Sequence, residues 1–218
     1  RNPTGDRFET RAVHAGQEPD EATGAIVPPT TLASTFVQDA VGDHRGYEYA
    51  RRANPTRAAL EACVADLEGA AHGLAFASGM AAEDATLRAT LQPGDHVIIP
   101  ADAYGGTYRL VARLYEPTGV TWTAVDLADL DALAGAWRDE TKLVWVETPT
   151  NPLLTVVDIA AAAKLAHDRG ARVVVDNTFA TPYLQQPLGL GADVAVHSST
   201  KYLGGHSDVV GGIVALRD

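Results

Sequence analysis

The sequence LVWVETPTNPLLTVVDIAAAAKLAHDRGARVVVD, residues 143–176, contains two short apolar runs separated by an amphipathic segment. The runs are LVWV at 143–146 and RVVV at 172–175, and the second is apolar after its first residue. Continuous runs of this length are typical of strands that are buried on both faces. The intervening segment 159–169 has helical periodicity. This part of the chain therefore predicts a strand–helix–strand unit of a parallel sheet.

The same alternation continues in both directions along the chain. A helix is predicted from a cap at Thr56 to Gly69, and further helices over 80–91, 107–115 and 127–137. The remaining predicted strands lie at 74–77, 96–99, 121–125, 194–196 and 212–216. We therefore predict an α/β fold with a mainly parallel seven-stranded sheet between helices.

The first part of the chain, 1–55, lacks this periodicity and is rich in Pro, Gly and Thr, including Pro28-Pro29. We expect it to be an extended arm with little secondary structure of its own. Because a long irregular segment is unusual inside a compact domain, it is expected to pack on something else, such as another subunit. The predicted organisation is thus an arm at 1–55 and a large domain at 56–218.

Composition excludes several classes of function. The 218 residues are 46% hydrophobic and carry a formal net charge of −11, without a run of Lys or Arg. Nucleic acid and anionic membrane surfaces select a basic face, so neither is expected as a partner. No apolar run is long enough for a transmembrane helix. The single cysteine, Cys63, fits a reducing cytosol, and the seven histidines show no metal-binding spacing, so we expect a cytoplasmic protein without a metal site.

Ligands of parallel α/β sheets bind outside the carboxyl ends of the strands, so the residues that follow each strand are the candidate site. Ser78-Gly79-Met80 opens a helix after a strand. This turn either binds an anion through its N–H groups or carries glycine only for conformational reasons. Tyr104, beside two glycines, either packs in the core or presents its ring to a flat aromatic cofactor.

Two charged residues follow buried strands. Asp176 ends one of them, and its carboxylate either caps the next loop or pairs with a protonated ring nitrogen. Lys201 follows Ser198-Ser199-Thr200 after another strand. It is either a surface lysine or a partly buried amine that forms a Schiff base.

Six segments together resemble the Cys/Met-metabolism family of fold-type I pyridoxal-phosphate (PLP) enzymes, which includes cystathionine γ-synthase, cystathionine γ-lyase and methionine γ-lyase. The resemblance covers nearly the whole chain, in the same order. The matching segments are Tyr49-Ala-Arg51-Arg-Ala-Asn54-Pro-Thr-Arg57, Ser78-Gly-Met80, Tyr104-Gly-Gly-Thr107, Glu147-Thr-Pro-Thr-Asn151-Pro152, Val175-Asp176-Asn177-Thr178 and Ser198-Ser-Thr-Lys201-Tyr-Leu-Gly-Gly-His206-Ser-Asp208.

The resemblance implies a role for each matching residue. Lys201 would hold PLP as a Schiff base and move protons, Asp176 would pair with the pyridine nitrogen, and Tyr104 would stack on the ring. Asn151 would contact the phenolic oxygen of the cofactor or the substrate carboxylate. The phosphate would be bound by the N–H groups of Gly79 and Met80, the hydroxyls of Ser198 and Thr200, and Tyr49 and Arg51 of a neighbouring subunit.

The resemblance also implies an activity and an assembly. The expected reaction is γ-replacement or γ-elimination on cystathionine or an O-substituted homoserine, in a homotetramer built as a dimer of dimers, with Tyr49 as an acid or base near the leaving group. Positive charge from Arg52 and Arg109 near the site would favour the γ-synthase. The alternatives are a methionine γ-lyase, which usually has Cys in place of Gly106, and a non-catalytic fragment that retains the fold. Family members are nearly twice as long, so their C-terminal domain, with the arginine that binds the substrate carboxylate, is expected to be absent from this chain.

Overall fold

The seven predicted strands form one sheet in the computed structural model, which describes residues 5–217. In chain order the strands of the protein are β1 (Gln38–Ala40), β2 (Asp43–His44), β3 (His72–Phe76), β4 (His96–Pro100), β5 (Thr121–Val125), β6 (Thr141–Glu147), β7 (Arg172–Asp176), β8 (Val194–His197) and β9 (Gly212–Leu216). The α-helices are α1 (Phe8–His14), α2 (Pro55–Glu68), α3 (Gly79–Thr90), α4 (Gly105–Leu110), α5 (Leu130–Gly135), α6 (Ile159–Asp168) and α7 (Thr181–Leu184).

The sheet has the strand order β3-β9-β8-β7-β6-β4-β5. β9 runs antiparallel to both of its neighbours, and the other pairings are parallel. The prediction of a mainly parallel sheet is therefore confirmed. Because β4, β6, β7 and β8 run in the same direction, their carboxyl ends meet at one edge of the sheet.

Both faces of the sheet are covered, as the continuous apolar runs predict. Val173 and Val175 pack in one core cluster with Ala162 and Ala166 of α6. Val174, between them, points to the other cluster, which includes residues of α3 and α4. Alternate residues of one strand thus enter opposite cores, and this explains why the strand carries no polar face.

Two predicted helices differ from the structure. The predicted helix 127–137 is shorter, because the side chain of Asp129 accepts hydrogen bonds from the N–H groups of Asp131 and Ala132 and starts α5 at Leu130. The predicted helix 107–115 is divided into α4 and a π-helical turn, Val111–Tyr115. At the end of this turn the hydroxyl of Tyr115 donates to the carbonyl of Asp84 at 2.8 Å, which connects the turn to α3.

The arm is not wholly extended. It contains α1 and the small β1–β2 hairpin, and Arg11 of α1 forms an ion pair with Asp66 of α2. The sequence did not predict these elements because they are short. Several apolar side chains of the arm are exposed, among them Leu32 at 91%. Residues 1–4 of the arm and residue 218 of the large domain lie outside the described residues, and the division at residue 55 stays a prediction.

The cap of α2 is Asn54 rather than the predicted Thr56, and Pro55 occupies the first helical position. The Asn54 side chain accepts from the N–H groups of Thr56 and Arg57, at 2.9 and 3.3 Å, and donates to the carbonyl of Thr31. The end of the helix at Gly69, with φ of +67°, is as predicted.

Replacing Asn54 with alanine is expected to lower the free energy of unfolding by about 1 kcal/mol, because two N–H groups lose their acceptor. Urea unfolding followed by circular dichroism measures this change. Asn54→Asp is the matched control, since it keeps the acceptor and loses only the donation to Thr31. Equal losses in both variants would show that the contact with Thr31, and not the cap, stabilises the helix.

Candidate active site

A cavity of about 210 Å³ lies at the carboxyl ends of the parallel strands. It is bounded by the start of α3, by the loops that follow β4 and β6, and by the segments that follow β7 and β8. The residues that line it are Ser78, Gly79, Met80, Glu83, Tyr104, Glu147, Pro149, Asn151, Asp176, Thr178, Phe179, Ser198, Thr200 and Lys201.

The structure brings together most of the residues that the sequence singled out. Those that line the cavity are Gly79, Met80, Tyr104, Asn151, Asp176, Ser198, Thr200 and Lys201. Tyr49 and Arg51 do not line it. They lie on the arm, where the Arg51 guanidinium stands 5.0 Å from the centre of the Tyr49 ring. Arg52 and Arg109 do not line it either, and Arg52 forms an ion pair with Glu48, so the contribution of their charge near the site stays a prediction.

The start of α3 forms a close-packed wall of the cavity. Ser78 caps the helix by accepting from the N–H of Ala81 at 3.1 Å. A Cβ on Gly79 would lie 2.7 Å from the Cβ of Ser198, so only glycine allows this approach. N–H groups in the first turn of a helix have no partner within the helix, and they favour an anion. This wall can therefore bind a phosphate.

The segment before Lys201 is held by the hydroxyl groups of two threonines, Thr178 after β7 and Thr200 within the segment. The Thr178 hydroxyl accepts from the N–H of Ser198 at 2.8 Å. The Thr200 hydroxyl accepts from the N–H of Gly211 and donates to its carbonyl, at 3.1 and 3.2 Å. The single hydrogen of the Thr200 hydroxyl is therefore used within the chain and must leave the Gly211 carbonyl before Thr200 can donate to a ligand.

Lys201 is exposed at the rim of the cavity, whereas the sequence favoured partial burial if it acts as an amine. Its backbone is fixed in a turn, since its N–H donates to the carbonyl of Ser198 at 3.1 Å and its carbonyl accepts from Gly205 at 2.8 Å. The partial burial of Lys201 is therefore not seen in this chain. The side chain is free to extend into the cavity.

Three buried carboxyl groups face the same cavity: Asp176 of β7, Glu147 of β6 and Glu83 of α3. Glu147 and Asp176 are directly opposite each other on neighbouring strands. Burial, followed by repulsion from Asp176, raises the pKa of Glu83 to about 8. Burial likewise raises the pKa of Glu147 to about 7, and it also raises that of Asp176. A cationic ligand in the cavity would be strongly favoured.

The sequence reasoning assigned no role to Glu147 or Glu83. Glu147 ends an apolar strand in the same way as Asp176, and this signal could have identified it. Glu83 lies one turn after Gly79 on α3 and carries no local signal, because the fold alone turns it toward the cavity. Its carboxylate accepts from the hydroxyl of Thr107 at 2.7 Å.

Three buried polar residues, Glu68, Asn177 and His197, form a hydrogen-bonded cluster near Asp176, on the other face of the sheet. His197 Nε2 lies 2.5 Å from Oε1 of Glu68, and the same oxygen accepts from Nδ2 of Asn177 at 2.8 Å. The charge of His197 is a minor cause that lowers the pKa of Asp176 and opposes the effect of burial. Hydrogen bonds from Thr178 are larger causes in the same direction, and burial outweighs all of them, so the pKa of Asp176 is raised.

The raised pKa values predict how stability changes with pH in the cofactor-free protein. Between the ordinary value of 4.5 and about 8, folded Glu83 holds a proton that the unfolded chain has released. The free energy of unfolding should therefore fall as the pH rises through this range. Urea unfolding at pH 5.5 and 8 measures the slope.

Glu83→Gln is the matched variant for this experiment, because it removes one titrating group and keeps a partner for Thr107. It should reduce the decline of stability with pH. An unchanged slope in Glu83→Gln would contradict the assignment of a raised pKa to Glu83.

Comparison with known proteins identifies the family. A sequence model described as "Cys/Met metabolism PLP-dependent enzyme" matches residues 9–218. The chain belongs to this family. It is 61% identical over 210 residues to the cystathionine γ-synthase of Mycobacterium bovis, covering 96% of this chain and 54% of the relative. It is 50% identical to the cystathionine β-lyase of Coxiella burnetii, covering 97% of this chain and 54% of that protein.

Solved structures agree with the family and the fold type. The crystal structure of metB from Corynebacterium glutamicum matches with a TM-score of 0.97 and 53% identity, covering 100% of this chain and 57% of that one. The cystathionine γ-lyase of Lactobacillus plantarum, complexed with L-serine, matches with a TM-score of 0.94 and 49% identity, covering 98% and 55%. The predicted resemblance is confirmed. The chain spans about half the length of the relatives it matches.

The residues of the cavity fit the PLP on which this family depends. The start of α3 offers N–H groups to a phosphate, and glycine at position 79 removes the Cβ that would close the gap to Ser198. The buried carboxylate of Asp176 suits a protonated ring nitrogen. Among the described residues, no group of three or more His, Cys, Asp or Glu could hold a metal ion. None of the helices in the part of the chain that the structure describes could span a membrane.

Proposed function

We propose that this chain forms the cofactor-binding part of a PLP-dependent enzyme that performs γ-replacement or γ-elimination on cystathionine or an O-substituted homoserine. One observation carries the proposal. The amine of Lys201, the carboxylate of Asp176 and the first turn of α3 share one cavity, in a chain that is 61% identical to a cystathionine γ-synthase.

Each residue of the cavity has a chemical role in this proposal. Lys201 Nζ would hold PLP and, as a free amine, would move a proton from and to the substrate carbons. Asp176 would pair with the ring nitrogen and keep it protonated, and Tyr104 would lie against the ring. When bound, PLP supplies an electron sink for the negative charge that develops at the substrate Cα.

The phosphate of PLP would be bound by hydrogen-bond donors, which lie apart from the three carboxyl groups of the cavity. The N–H groups of Gly79 and Met80 and the hydroxyl of Ser198 would be its donors, and Thr200 would join them by turning its hydroxyl hydrogen from the Gly211 carbonyl to the phosphate. Asn151 contacts the phenolic oxygen of PLP or the carboxylate of the substrate. The carboxyl groups on one side of the cavity and the hydrogen-bond donors on the other would orient a molecule that is cationic at its ring nitrogen and anionic at its phosphate.

We further propose that Tyr49 and Arg51 complete the phosphate site of a neighbouring subunit in a homotetramer. Two observations support this assignment. Both residues lie away from the cavity of their own chain, and the arm that carries them exposes apolar side chains such as Ile26, Val27 and Leu32. Tyr49 would then serve as an acid or base near the leaving group.

The packing around Gly106 argues against the methionine γ-lyase alternative. A Cβ at this position would lie 2.3 Å from Cε1 of Tyr104 and 2.7 Å from the sulfur of Met80. A cysteine here would displace the Tyr104 ring. The packing therefore favours glycine at position 106, and this supports the other members of the family over a methionine γ-lyase.

Two assays of the full-length protein with PLP test the proposal. In the first, O-succinylhomoserine and cysteine are supplied and cystathionine is measured. In the second, cystathionine alone is supplied and ammonia and the 2-oxo acid are measured. We expect turnover in at least one assay, with the first faster if γ-replacement dominates.

The same assays discriminate between the alternatives. Release of pyruvate rather than 2-oxobutyrate from cystathionine would indicate β-elimination and contradict a γ-specific enzyme. The absence of turnover in both assays, in a folded protein loaded with PLP, would favour the non-catalytic alternative.

A further inference from the structure

The carboxylate of Glu147 connects two loops of the cavity. Its Oε2 accepts from the N–H of Tyr104 at 2.7 Å, and its Oε1 accepts from the N–H of Asn151 at 2.7 Å. The side chain is buried, at 5% exposure. Both oxygens are thus engaged by backbone donors, one on each side of the site.

The two N–H groups belong to different parts of the chain. Tyr104 precedes α4 in the loop after β4, and Asn151 lies in the loop after β6. A second carboxylate, Asp102, joins the same two loops by accepting from the hydroxyls of Thr150 and Thr155, at 2.5 and 3.0 Å. Glu147 differs from Asp102 in that it fixes the backbone of the two residues whose side chains are directed to the cofactor in the proposed function.

We propose that Glu147 is a positioning residue that sets the separation of Tyr104 and Asn151 and so the width of the slot for the cofactor ring. The inference rests on the proposed function, because the slot matters only if PLP is bound there. Without Glu147, the backbone of Tyr104 would be connected to the loop after β6 through the side-chain contacts of Asp102, two residues before it.

The chemistry of the carboxylate explains why this residue type is needed. Two N–H donors that approach from different sides require two acceptor oxygens on one group, and a carboxylate has both. A glutamine has one acceptor oxygen, and its amide nitrogen would face a second donor. Glu147→Gln therefore changes almost no volume but must release either Tyr104 or Asn151.

Glu83→Gln is the matched control for this substitution. Glu83 is a buried carboxyl of the same cavity, at 4% exposure, but its partner is the hydroxyl of Thr107. A hydroxyl can donate or accept, so Thr107 can pair with either end of a glutamine amide. A general effect of removing a buried carboxylate should therefore appear in both variants, and a loss of positioning only in Glu147→Gln.

The first measurement is amide hydrogen exchange in the cofactor-free full-length protein. We expect the exchange of the Tyr104 or Asn151 amide to accelerate about tenfold in Glu147→Gln and to stay unchanged in Glu83→Gln. The second measurement is the visible circular dichroism of bound PLP, which reports the orientation of its ring. It should change in Glu147→Gln, together with a fall in kcat larger than any change in KM.

Several outcomes would overturn the inference. Equal exchange at both amides in the two variants, or an unchanged visible dichroism in Glu147→Gln, would show that Glu147 does not position the slot. Should Glu147→Gln fail to fold, an experimental structure of the PLP-loaded wild type decides, because separation of either N–H from the carboxylate contradicts the proposal and retention of both supports it. A wild type that binds no PLP would contradict the proposed function instead, so the two failures are distinguishable.

Discussion

Replacing Lys201 with alanine is expected to lower turnover of the full-length protein by about 10³-fold or more, because one amine both holds the cofactor and transfers protons. The variant should also lose the visible absorbance that PLP acquires when it is bound to a lysine. Lys201 is exposed, so alanine leaves no cavity in the core, and the free energy of unfolding should stay unchanged. Turnover, absorbance and urea unfolding measure the three effects.

Lys142→Ala is the matched control for this variant. Lys142 is also exposed, but it lies near the start of β6, at the opposite end of the sheet from the cavity. It should therefore retain both the absorbance and the turnover of the wild type. Loss of turnover in both variants, or retention in both, would contradict the role of Lys201.

Replacing Asp176 with asparagine is expected to lower turnover by about 10²-fold, the effect of losing one hydrogen bond to a charged group. The neutral amide cannot hold the ring nitrogen in its protonated form as a carboxylate does. The free energy of unfolding of the cofactor-free protein, in contrast to turnover, should not fall. Because burial raises the pKa of Asp176, its ionised form is unfavourable in the absence of a cation, and asparagine should be equally or more stable at pH 8.

A gain in stability with a loss of activity distinguishes a functional carboxylate from a structural one. Asp158→Asn is the control, since Asp158 caps α6 and asparagine caps a helix equally well. Its turnover and stability should remain near those of the wild type. If Asp176→Asn destabilised the cofactor-free protein and left turnover unchanged, Asp176 would be a structural residue.

The sheet and the general position of the site followed from the sequence because they depend on local patterns. Continuous apolar runs such as Val173–Val175 predict buried strands, and parallel strands bring their carboxyl ends together, so Asp176 and Lys201 were expected at one edge. The individual roles required the family resemblance. Asp176 alone is equally compatible with a loop cap, and the local sequence around Lys201 does not distinguish an amine that binds a cofactor from one at the surface.

Other features could not be predicted because they depend on contacts between distant residues. Glu83 reaches the cavity only because α3 packs with that face toward the sheet at β8 and β9, and Glu147 acquires its two donors from residues 43 and 4 positions away in the sequence. The buried contact between the carboxylate of Glu68 and the imidazole of His197 joins residues that are 129 positions apart. The cap of α2 was assigned to Thr56 instead of Asn54, although Pro55 favours the first helical position and so indicates Asn54.

The measurement that tests the account most directly is borohydride reduction of the PLP-loaded wild-type protein, followed by proteolysis and mass spectrometry of the peptides. Reduction makes the bond between PLP and its lysine permanent, so the added mass marks the lysine that holds the cofactor. We expect the mass on the peptide that contains Lys201, and no labelled peptide from the Lys201→Ala variant. A label on Lys142 or Lys164, or no label on any lysine of a protein that contains stoichiometric PLP, would contradict the assignment of Lys201 and with it the proposed function.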